Sequence, residues 1–471
     1  MARRLDLMIS LSPQHRPPLD PGFMPAALWN RSYLARVAET AGSREIAIRL
    51  SRPDGASWVY QTSVLPDDAD YRESNYRYAE RLLKMLLWAW GGSQVEIGGA
   101  PELAGALQAT YSADGARAFD ADFMGPTCFG QPLRIDAVED LPAPSAVEST
   151  GRVNRDLSGC RIGFDLGGSD RKAAALIDGE VVFSEEIKWN PYFESDPAYH
   201  LEGIRDSLQR AAAHLPRVDA IGGSAAGIYV DNEPRVASLF RGVAPEDFAA
   251  KVRPIFRQLQ AEWGDIPFVV ANDGDVSALA GSFSLGENAV LGLSMGTSQA
   301  VGCTDAAGNI TGWLNELAFA PVDYRTDAPE DEWSKDRGCG VQYFSQQAVA
   351  RLIPAAGLSV PEGMPLPERL EVVQTEMEKG EPSAAAIYET IGCYLGYSIA
   401  HYADFYDFRH LLLLGRVTTG SGGLLIEETA RAVLAAEFPE LGERIALSMP
   451  DEKMKRHGQA IAAASLPSLK N

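Results

Sequence analysis

The chain has 471 residues, 46% of them hydrophobic, and this length gives room for about two to four domains with sizeable cores. Asp and Glu together number 64 against 42 for Lys and Arg, which gives a formal net charge of −22. This acidic balance argues against a broad nucleic-acid-binding surface. It does not exclude a small phosphorylated ligand, because a local cradle and a metal are enough to bind one.

The five cysteines are scattered, odd in number and without a C-x-x-C pair, so they favour reduced thiols in a cytoplasm over a disulfide framework. The first twelve residues include basic side chains but no sustained apolar core or small-residue cleavage pattern, and we expect no secretory leader. No apolar run is long enough to predict a membrane span. We therefore expect a cytoplasmic protein with no membrane partner.

Residues 1–150 are predicted to form an N-terminal α+β module whose role is left open. Residues 13–25 are rich in proline and predict an extended arm. Polar and apolar residues alternate over 45–50 and 57–65, which predicts two strands joined by a turn. Apolar residues recur at helical spacing over 71–90, which predicts a long helix.

Two aromatic residues at the end of that helix, Trp88 and Trp90, are interpreted as core or interface residues rather than as a stacking surface for a sugar. Residues 95–97 predict a further strand, and residues 101–111 predict a further helix. The stretch 142–149 is rich in Pro, Ala and Ser and predicts a linker to the rest of the chain.

From residue 159 onward, strands and helices are predicted to alternate regularly. The predicted elements are strands over 160–164, 173–177 and 181–183, a helix over 197–214, a strand over 218–224, a helix over 245–263 and a strand over 268–271. We expect this unit, residues 159–285, to form a first lobe.

The same order of elements returns in the rest of the chain. The predicted elements are strands over 289–294 and 299–304, a helical stretch over 341–401, a strand over 411–414, a helix over 422–438, a strand over 445–447 and a last helix over 455–465. Residues 286–471 are expected to form a second lobe, whose last helix is free to pack back on the first. Two similar lobes imply a cleft between them, where a ligand would bind.

One stretch between two β-prone runs carries the strongest chemical signal. It reads Gly163-Phe164-Asp165-Leu166-Gly167-Gly168-Ser169-Asp170-Arg171-Lys172. Adjacent glycines let the backbone bring its N–H groups close to an anion, and Ser169 adds a hydroxyl donor. Asp165 ends the first strand, where a carboxylate can hold a hydrated Mg²⁺ beside a phosphate. Lys172 either adds charge to this site or points to solvent.

Alone, such a motif is more often an ordinary tight turn, but four further motifs follow in order, each at the end of a predicted strand. They are the loop 223–231, the pair Asn272-Asp273, the stretch 295–302 with Gly296, Thr297 and Ser298, and the cluster Gly415, Gly420, Gly422 and Gly423. With these five motifs, residues about 160–467 resemble the ROK family of sugar kinases, within the actin–hexokinase–Hsp70 ATPase-like group. The N-terminal module falls outside the resemblance.

The resemblance implies an α/β fold with two ribonuclease-H-like lobes around an interlobe cleft, as in actin and hexokinase, to which the α+β module is added. It also implies ATP and Mg²⁺ as cofactors, with Asp165 binding the Mg²⁺ through water. The residues implied to bind the nucleotide are Asp165, Gly167, Gly168, Ser169 and Lys172 in a first cradle, Gly296, Thr297 and Ser298 in a second, and Gly415, Gly420, Gly422 and Gly423 around the adenosine.

On the acceptor side, Asp273 is the candidate general base, because a carboxylate at a cleft-facing strand end suits removal of a hydroxyl proton. Its alternative role is the N-cap of the helix that follows, although Asn272 could supply that cap. The resemblance implies that Asn272, Glu316 and Ser238 bind the sugar.

The chain departs from the zinc site that many ROK members have. Phe319 stands where those members have a zinc-binding histidine, and Cys339 is a single cysteine where they have three. One cysteine cannot build the site, so we expect no zinc.

The sequence therefore predicts an ATP- and Mg²⁺-dependent kinase acting on a hydroxyl of a sugar or polyol. The alternative is a catalytically diverged ATP- and sugar-binding sensor or regulatory protein. A DNA-binding repressor is disfavoured, because residues 1–150 hold more acids than bases and show a β pattern where a winged helix would have helices. We expect no nucleic-acid partner, leave a homodimer open, and expect the module to cover the sugar side of the cleft or a subunit interface.

Overall fold

The computed structural model describes residues 11–140, 143, 157–450 and 452–469. The predicted linker at 142–149 lies, apart from residue 143, outside these residues. The described residues form an N-terminal part with its own sheet and two α/β lobes, which confirms the predicted fold class. None of their helices is both long and apolar enough to cross a membrane.

The N-terminal module contains a four-stranded sheet in the order β2-β1-β3-β4, in which only the β3–β4 pair is parallel. Its helices are α1 (Ala26–Glu39), α2 (Arg72–Ala89) and α3 (Pro101–Thr110), and its strands are β1 (Arg44–Ser51), β2 (Ser57–Val64), β3 (Gln94–Gly98) and β4 (Arg134–Val138). The sequence did not predict β4, because Ile135 alone among its five residues is buried and the apolar signal is weak.

The first lobe contains a five-stranded sheet in the order β11-β8-β5-β6-β7, in which β5, β8 and β11 are parallel. Its strands are β5 (Cys160–Leu166), β6 (Asp170–Ile177), β7 (Glu180–Lys188), β8 (Ala220–Ala225), β9 (Ile228–Val230), β10 (Glu233–Val236) and β11 (Phe268–Asn272), and its helices are α4 (Pro197–Ala212), α5 (Ile255–Glu262) and α6 (Asp273–Leu285). The helix predicted over 245–263 is divided: a short helical stretch over 245–252 precedes Pro254, which has no N–H to continue helical hydrogen bonding, and α5 follows it.

The second lobe contains a four-stranded sheet in the order β13-β12-β14-β15. Its strands are β12 (Val290–Met295), β13 (Gln299–Cys303), β14 (His410–Leu414) and β15 (Ala446–Ser448), and its helices are α7 (Gln346–Leu352), α8 (Leu366–Glu378), α9 (Pro382–Tyr402), α10 (Gly420–Glu437), α11 (Pro439–Arg444) and α12 (Glu452–Ala464). The repeat is incomplete, because one antiparallel strand flanks β12 where two follow β5 in the first lobe.

The helical stretch predicted over 341–401 is three helices, α7, α8 and α9. Three glycines between them, Gly357, Gly363 and Gly380, adopt positive φ angles of 74°, 76° and 78°. This left-handed conformation suits glycine and ends a right-handed helix.

The last helix, α12, lies across the first sheet rather than the second. Gly163 of β5 and Gly222 of β8 allow this, because a Cβ at either position would overlap the backbone carbonyl of Ala460 or Ala463. Ala463 also shares a core with α6.

Helix α6 joins the lobes, because it continues from β11 of the first sheet and packs on β12 and β13 of the second. The contact is backbone against backbone at Gly274 and Gly302. A Cβ on Gly274 would lie 2.5 Å from the carbonyl oxygen of Val301, and a Cβ on Gly302 would overlap the carbonyl of Gly274. The position of α6, and of the residues at its start, is therefore fixed by both lobes.

The module and the second lobe share one continuous hydrophobic core, whereas the first sheet has a core of its own. The shared core includes Trp29, Tyr33, Leu86, Trp88 and Trp90 from the module and Leu293, Tyr343, Tyr388, Tyr394 and Tyr402 from the second lobe. Trp88 is 0% and Trp90 is 6% exposed, so their interpretation as core residues is confirmed. The module is thus built into the second lobe.

A buried ion cluster fixes this contact. Asp336 of the second lobe is 4% exposed, and its carboxylate meets three cations of the module. Lys84 Nζ lies 2.8 Å, Arg81 Nη1 3.0 Å and Arg117 Nη1 2.7 Å from its oxygens. Burial opposes ionisation, but these cations hold the pKa of Asp336 well below its usual range.

Two further acids of the module, Glu80 and Asp120, complete the cluster. Glu80 binds Arg81 at 2.6 Å and Arg117 at 2.7 Å, and Asp120 accepts from Lys84 at 3.1 Å. Three carboxylates thus balance three cations in a site closed to water. Such pairing is required, because an unpaired charge buried at this depth would lower the stability of the folded protein by several kcal/mol.

We expect Asp336→Asn to lower the free energy of unfolding by about 3–5 kcal/mol, because it leaves buried cations uncompensated. Urea unfolding of the full chain measures the change. Glu330→Gln is the matched control, since Glu330 pairs with Arg337 on the surface at 3.1 Å, and such a pair contributes about 0–1 kcal/mol. An equally small loss for Asp336→Asn would show that the cluster does not hold the module.

Gly302→Ala should destabilise the protein by about 1–3 kcal/mol, because its Cβ has no room against Gly274. Gly105→Ala is the control: no atom lies within 4 Å of a Cβ at this position of α3, and the change should stabilise by about 0.4–1 kcal/mol. Calorimetry compares the two unfolding temperatures. The rigid α6 contact is refuted if Gly302→Ala unfolds no earlier than the wild type.

Candidate active site

The carboxyl ends of β5, β8 and β11 lie side by side because the three strands are parallel. Asp165, near the end of β5, is buried and accepts a hydrogen bond from Ser224 Oγ of β8 at 2.7 Å. Asn272 ends β11, and Asp273 follows it as the first residue of α6. The two predicted functional carboxylates, Asp165 and Asp273, therefore belong to one edge of the first sheet.

The first predicted phosphate cradle is the tight turn between β5 and β6. Gly167 N–H donates to the carbonyl of Asp170 at 2.9 Å, and Trp189 Nε1 donates to the carbonyl of Gly167 at 2.8 Å. Gly168 lies under the ring of Tyr192, where a Cβ would overlap that ring. Ser169 is exposed at the tip of the turn.

Lys172 turns toward the acids of this cradle rather than to open solvent. Its Nζ lies 3.6 Å from Asp165 Oδ2 and 3.3 Å from Asp170 Oδ1. Burial disfavours the charge of Lys172, but Asp165 and Asp170 outweigh this and raise its pKa. With Asp273, the group holds three carboxylates against one ammonium, a balance that suits a further cation.

The second predicted cradle is the turn between β12 and β13. Gly296 N–H donates to the carbonyl of Ser298 at 2.9 Å, and Gly296 accepts at its own carbonyl from Gln346 N–H at 2.9 Å. Thr297 and Ser298 are exposed. The turn is thus held at its base while its tip is open to a ligand.

The glycine cluster after β14 lies directly beside this turn. Gly415 has φ 93° and packs against the backbone of Met295, where a Cβ would come within 2.5 Å of Met295 C. Gly422 and Gly423 are closed in by the ring of Tyr388 and the carbonyl of Thr418. These three glycines are required by close packing.

Gly420 differs from the other three glycines, since no atom lies within 4 Å of a Cβ there. It lines a cavity of about 270 Å³ together with Gln374, Tyr388 and Thr419. Gln374 Nε2 donates to Thr419 Oγ1 at 2.8 Å, which closes one wall. This cavity is the candidate adenosine site.

Asn272, and not Asp273, caps α6. Its Oδ1 accepts from Gly274 N–H at 2.7 Å, and its Nδ2 donates to the carbonyl of Gly227 at 2.7 Å. Both ends of the amide are therefore used within the protein. Asp273 Oδ1 shares the same Gly274 N–H at the longer distance of 3.0 Å, so the N-cap does not depend on Asp273.

Three carboxylates near the start of α6 have raised pKa values, and burial is the largest cause for each. Burial and the charge of Asp165 raise the pKa of Asp273 to about 6. Burial also raises the pKa of Asp275 to about 7. Burial is the main cause that raises the pKa of Glu316 to about 8, and the charges of Asp273 and Asp275 add to this shift. Perturbed carboxylates at a strand end are typical of functional sites.

The module positions Glu316. The N–H groups of Leu314, Asn315 and Glu316 donate to the carbonyls of residues 90, 89 and 88 at the end of α2, at 3.3, 2.9 and 2.9 Å. Asn315 Nδ2 in turn donates to Asp275 Oδ1 at 2.8 Å. The segment that carries Glu316 is thus held between the module and α6.

Ser238, the third predicted sugar contact, lies on an exposed turn after β10. Its neighbour Ala237 packs on Gly227, the residue that accepts from Asn272. Ser238 is therefore placed near the loop that holds Asn272, and its contact with sugar stays a prediction.

Phe319, at the position where many ROK members have a zinc-binding histidine, lies in an aromatic group. Its ring stacks on Trp88 with centroids 4.3 Å apart, and Phe119 and Phe123 lie at 5.7 and 6.1 Å. Cys339 is buried beside Ser334, at 3.9 Å. Over the described parts of the chain, no three His, Cys, Asp or Glu side chains are grouped to hold a metal ion. The absence of zinc stays a prediction.

A cavity of about 510 Å³ borders this site, and the sequence did not predict its outer wall. Asn272 and Asp275 line it, together with Arg52 and Phe129 of the module and Trp313 of the second lobe. The last three come together only through the packing of the module on the lobes, so no local sequence pattern could reveal them.

Comparison with known proteins finds similar structures but no match by family model or by sequence to a curated protein. The ROK hexokinase of Thermus thermophilus superposes over 65% of this chain and 97% of its own, with 19% identity and a TM-score of 0.51.

Two further solved structures are similar at lower scores. The ROK glucokinase of Streptomyces griseus, solved with glucose and AMPPNP, covers 66% of this chain and 99% of its own, with 20% identity and a TM-score of 0.49. A ROK transcriptional regulator, a homologue of the E. coli MLC protein, covers 69% of this chain and 81% of its own, with 19% identity and a TM-score of 0.48. The Thermus thermophilus superposition, together with the order of strands, confirms the fold that the five motifs imply: the two lobes have a ROK sugar-kinase-like fold.

Proposed function

We propose that this protein is an ATP- and Mg²⁺-dependent kinase that phosphorylates a hydroxyl of a sugar or sugar-like small molecule. The observation that carries the proposal is the placement of Asp273 at the same sheet edge as Asp165, close enough for the charge of one to raise the pKa of the other. Each lobe adds a glycine turn at its strand end. Phosphoryl transfer needs such positioning groups and little covalent chemistry from the protein.

Nucleotide binding is assigned to the two turns and the glycine cluster. The turn Gly167-Gly168-Ser169 of one lobe and the turn Gly296-Thr297-Ser298 of the other would cradle the phosphates. The N–H groups of Gly167 and Gly296 already close these turns, so Gly168, Ser169, Thr297 and Ser298 would donate the hydrogen bonds to phosphate oxygens. Lys172 would add a positive charge. Asp165 fits the role of a Mg²⁺ ligand through water, because its surroundings hold more carboxylates than cations. When bound, the metal neutralises charge on the phosphates.

The acceptor step is assigned to Asp273. The acceptor oxygen forms a bond to the γ-phosphorus while the bond from that phosphorus to the bridging oxygen breaks, and ADP leaves with the electron pair. The proton of the hydroxyl passes to the carboxylate of Asp273. A pKa of about 6 keeps Asp273 ionised at neutral pH and still basic enough to take a proton.

The second candidate is an ATP- and sugar-binding sensor without turnover. Two observations favour it: both ends of the Asn272 amide are used within the protein, and the module is built into the second lobe. ADP release measured against a panel of sugars, amino sugars and polyols separates the two candidates. The kinase releases ADP with one of them, whereas the sensor binds without release.

We also propose a cytoplasmic location. All five cysteines are buried and free. Unpaired thiols suit a reducing compartment, because an oxidising one would expose the unfolded chain to disulfide formation.

Asp273→Asn should lower kcat by about 10²–10⁴-fold, the usual contribution of a general base, and leave ATP affinity nearly unchanged. In the wild type, kcat/KM should rise with pH through the Asp273 pKa of about 6, because the carboxyl group must lose its proton before it can accept one. Steady-state rates from pH 5 to 8 measure kcat and kcat/KM, and equilibrium ATP titrations measure ATP affinity.

The control for this change is Asp275→Asn, two residues further into α6, which keeps the hydrogen bond with Asn315 and does not remove the base. Asp275→Asn should retain the rise of kcat/KM with pH, whereas Asp273→Asn should lose this rise. A wild-type rate for Asp273→Asn would assign the base to another residue.

Asp165→Asn should weaken the part of nucleotide binding that depends on Mg²⁺, because the variant removes the carboxylate proposed to hold the hydrated ion. ATP titrations with Mg²⁺ and with EDTA measure the difference. Asp170→Asn, on the exposed side of Lys172, is the control and should keep most of the Mg²⁺ dependence. If Asp165→Asn and Asp170→Asn lose the Mg²⁺ dependence of ATP binding equally, Asp165 is not the residue that holds the ion.

A further inference from the structure

The 510 Å³ cavity beside Asn272 is built by all three parts of the protein. The first lobe supplies β11 and residues 227–232, the second lobe supplies residues 312–314, and the module supplies Arg52 and Phe129. Its volume lies within the range of about 300–1,000 Å³ that is typical of small-molecule sites.

The cavity ends beside the proposed catalytic base without containing it. Asn272 and Asp275 line the cavity, whereas Asp273 between them does not. A molecule that filled the cavity and also presented a hydroxyl to Asp273 would have to occupy two adjoining spaces.

The free edge of β11 gives this cavity a hydrogen-bonding wall. Asn232 bridges the outward groups of the strand, accepting from Val270 N–H at 2.8 Å and donating to Phe268 O at 2.6 Å. By the two-residue alternation of a strand, the next outward groups are the Val270 carbonyl and the Asn272 N–H. Within the described residues, neither is paired with another protein group. A donor and an acceptor side by side suit hydroxyl groups.

Two aromatic rings give the cavity apolar walls. Trp313 is supported from behind by Trp90 and Tyr406, with ring centroids 5.6 and 5.1 Å away. Phe129 is partly exposed and rests on the guanidinium of Arg52, 5.4 Å from its ring centroid. Rigid aromatic faces beside hydrogen-bonding groups match the apolar faces and hydroxyl edges of a sugar ring.

The charges of the cavity exclude an anionic ligand. Asp54, Asp231 and Asp275 line it, and Arg52 is its one cation. The guanidinium of Arg52 already donates to the carbonyls of residues 90, 91 and 312, so each of its three nitrogens makes a hydrogen bond within the protein. A phosphate or carboxylate on the ligand would meet more negative charge than positive.

We propose that this cavity binds the part of the acceptor that lies beyond the reacting sugar ring, so that the acceptor is a neutral or amino sugar longer than one ring. The inference rests on the proposed kinase function and deepens it. Phe129 is then a specificity-determining residue supplied by the module, and phosphorylated sugars and sugar acids are rejected.

Calorimetric titration of the full chain tests this without turnover. The probes are monosaccharides, the disaccharides built from them, their amino forms and their 6-phosphates. We expect one disaccharide to bind about 3- to 10-fold more tightly than its own monosaccharide, the factor that one aromatic contact contributes. Phe129→Ala should remove that difference and leave monosaccharide affinity unchanged.

Two further variants keep the test decisive. Phe129→Leu preserves apolar packing on Arg52 but removes the ring face, so it should also remove the preference if Phe129→Ala does not fold. Trp333→Ala is the control, because Trp333 is an exposed aromatic residue outside the cavity, and it should bind as the wild type does.

The inference fails if every disaccharide binds no better than its monosaccharide, if a 6-phosphate binds most tightly, or if no probe binds. Its binding part, that the cavity holds the second ring of a sugar, survives if a disaccharide binds with the expected preference but releases no ADP with ATP present. In that case the kinase proposal fails and the sensor takes its place, so the two failures are distinguishable.

Discussion

The buried carboxylate of Asp336 is the constraint on which the rest of this structure depends. It lies on the long connection after β13, a stretch without regular strands, and three cations of the module surround it. A carboxylate removed from water must be compensated close by, so the connection and the module can reach the native state only together. The same connection carries Glu316, and helix α2 of the module holds that residue's backbone. The proposed acceptor side of the cleft is therefore shaped by a part of the chain outside the ROK-like fold.

Crowded carboxylates explain how the two sides of the site are coupled. Asp165 is one cause of the raised pKa of Asp273, which in turn contributes to that of Glu316. A cation bound at Asp165 would cancel part of this repulsion and make ionisation of Asp273 easier. The proposed nucleotide and acceptor sides are thus coupled through charge, with helix α6 as a rigid support between them.

Elements with a strong local pattern could be predicted from the sequence, and elements defined by distant packing could not. Strand β5, the following glycine turn and the Asn272-Asp273 pair lie where strand-end reasoning placed them. Strand β4 was missed because only one of its residues is buried, which leaves almost no apolar pattern in the sequence. Periodicity alone predicted single long helices where Pro254, and the glycines between α7 and α9, divide the chain into separate helices.

The candidate site likewise contains some features that a local sequence pattern predicts and others that only distant packing creates. The two glycine turns proposed to bind the nucleotide are local features of consecutive residues, so the sequence reveals the turns directly. Arg52, Phe129 and Trp313 converge from three separate regions, and nothing near any of them in the sequence marks a binding wall. Sequence also offered Asn272 both as a cap and as a sugar contact, and its hydrogen bonds in the structure fulfil the first role.

The sequence separation within the ion cluster has a consequence for biosynthesis. Arg81 and Asp336 are 255 residues apart, and the shared core joins helices α1 and α2 to helices α9 and α10. At synthesis rates of about 5–20 residues per second, the module leaves the ribosome tens of seconds before the residues that cover it. During this interval its aromatic face is uncovered and its three buried cations lack Asp336, while the first lobe, with its own core, can already fold. Nascent chains of this protein therefore pass through a stage in which the N-terminal part waits for the second lobe, and chaperone binding at that stage would protect the surface that later becomes the shared core.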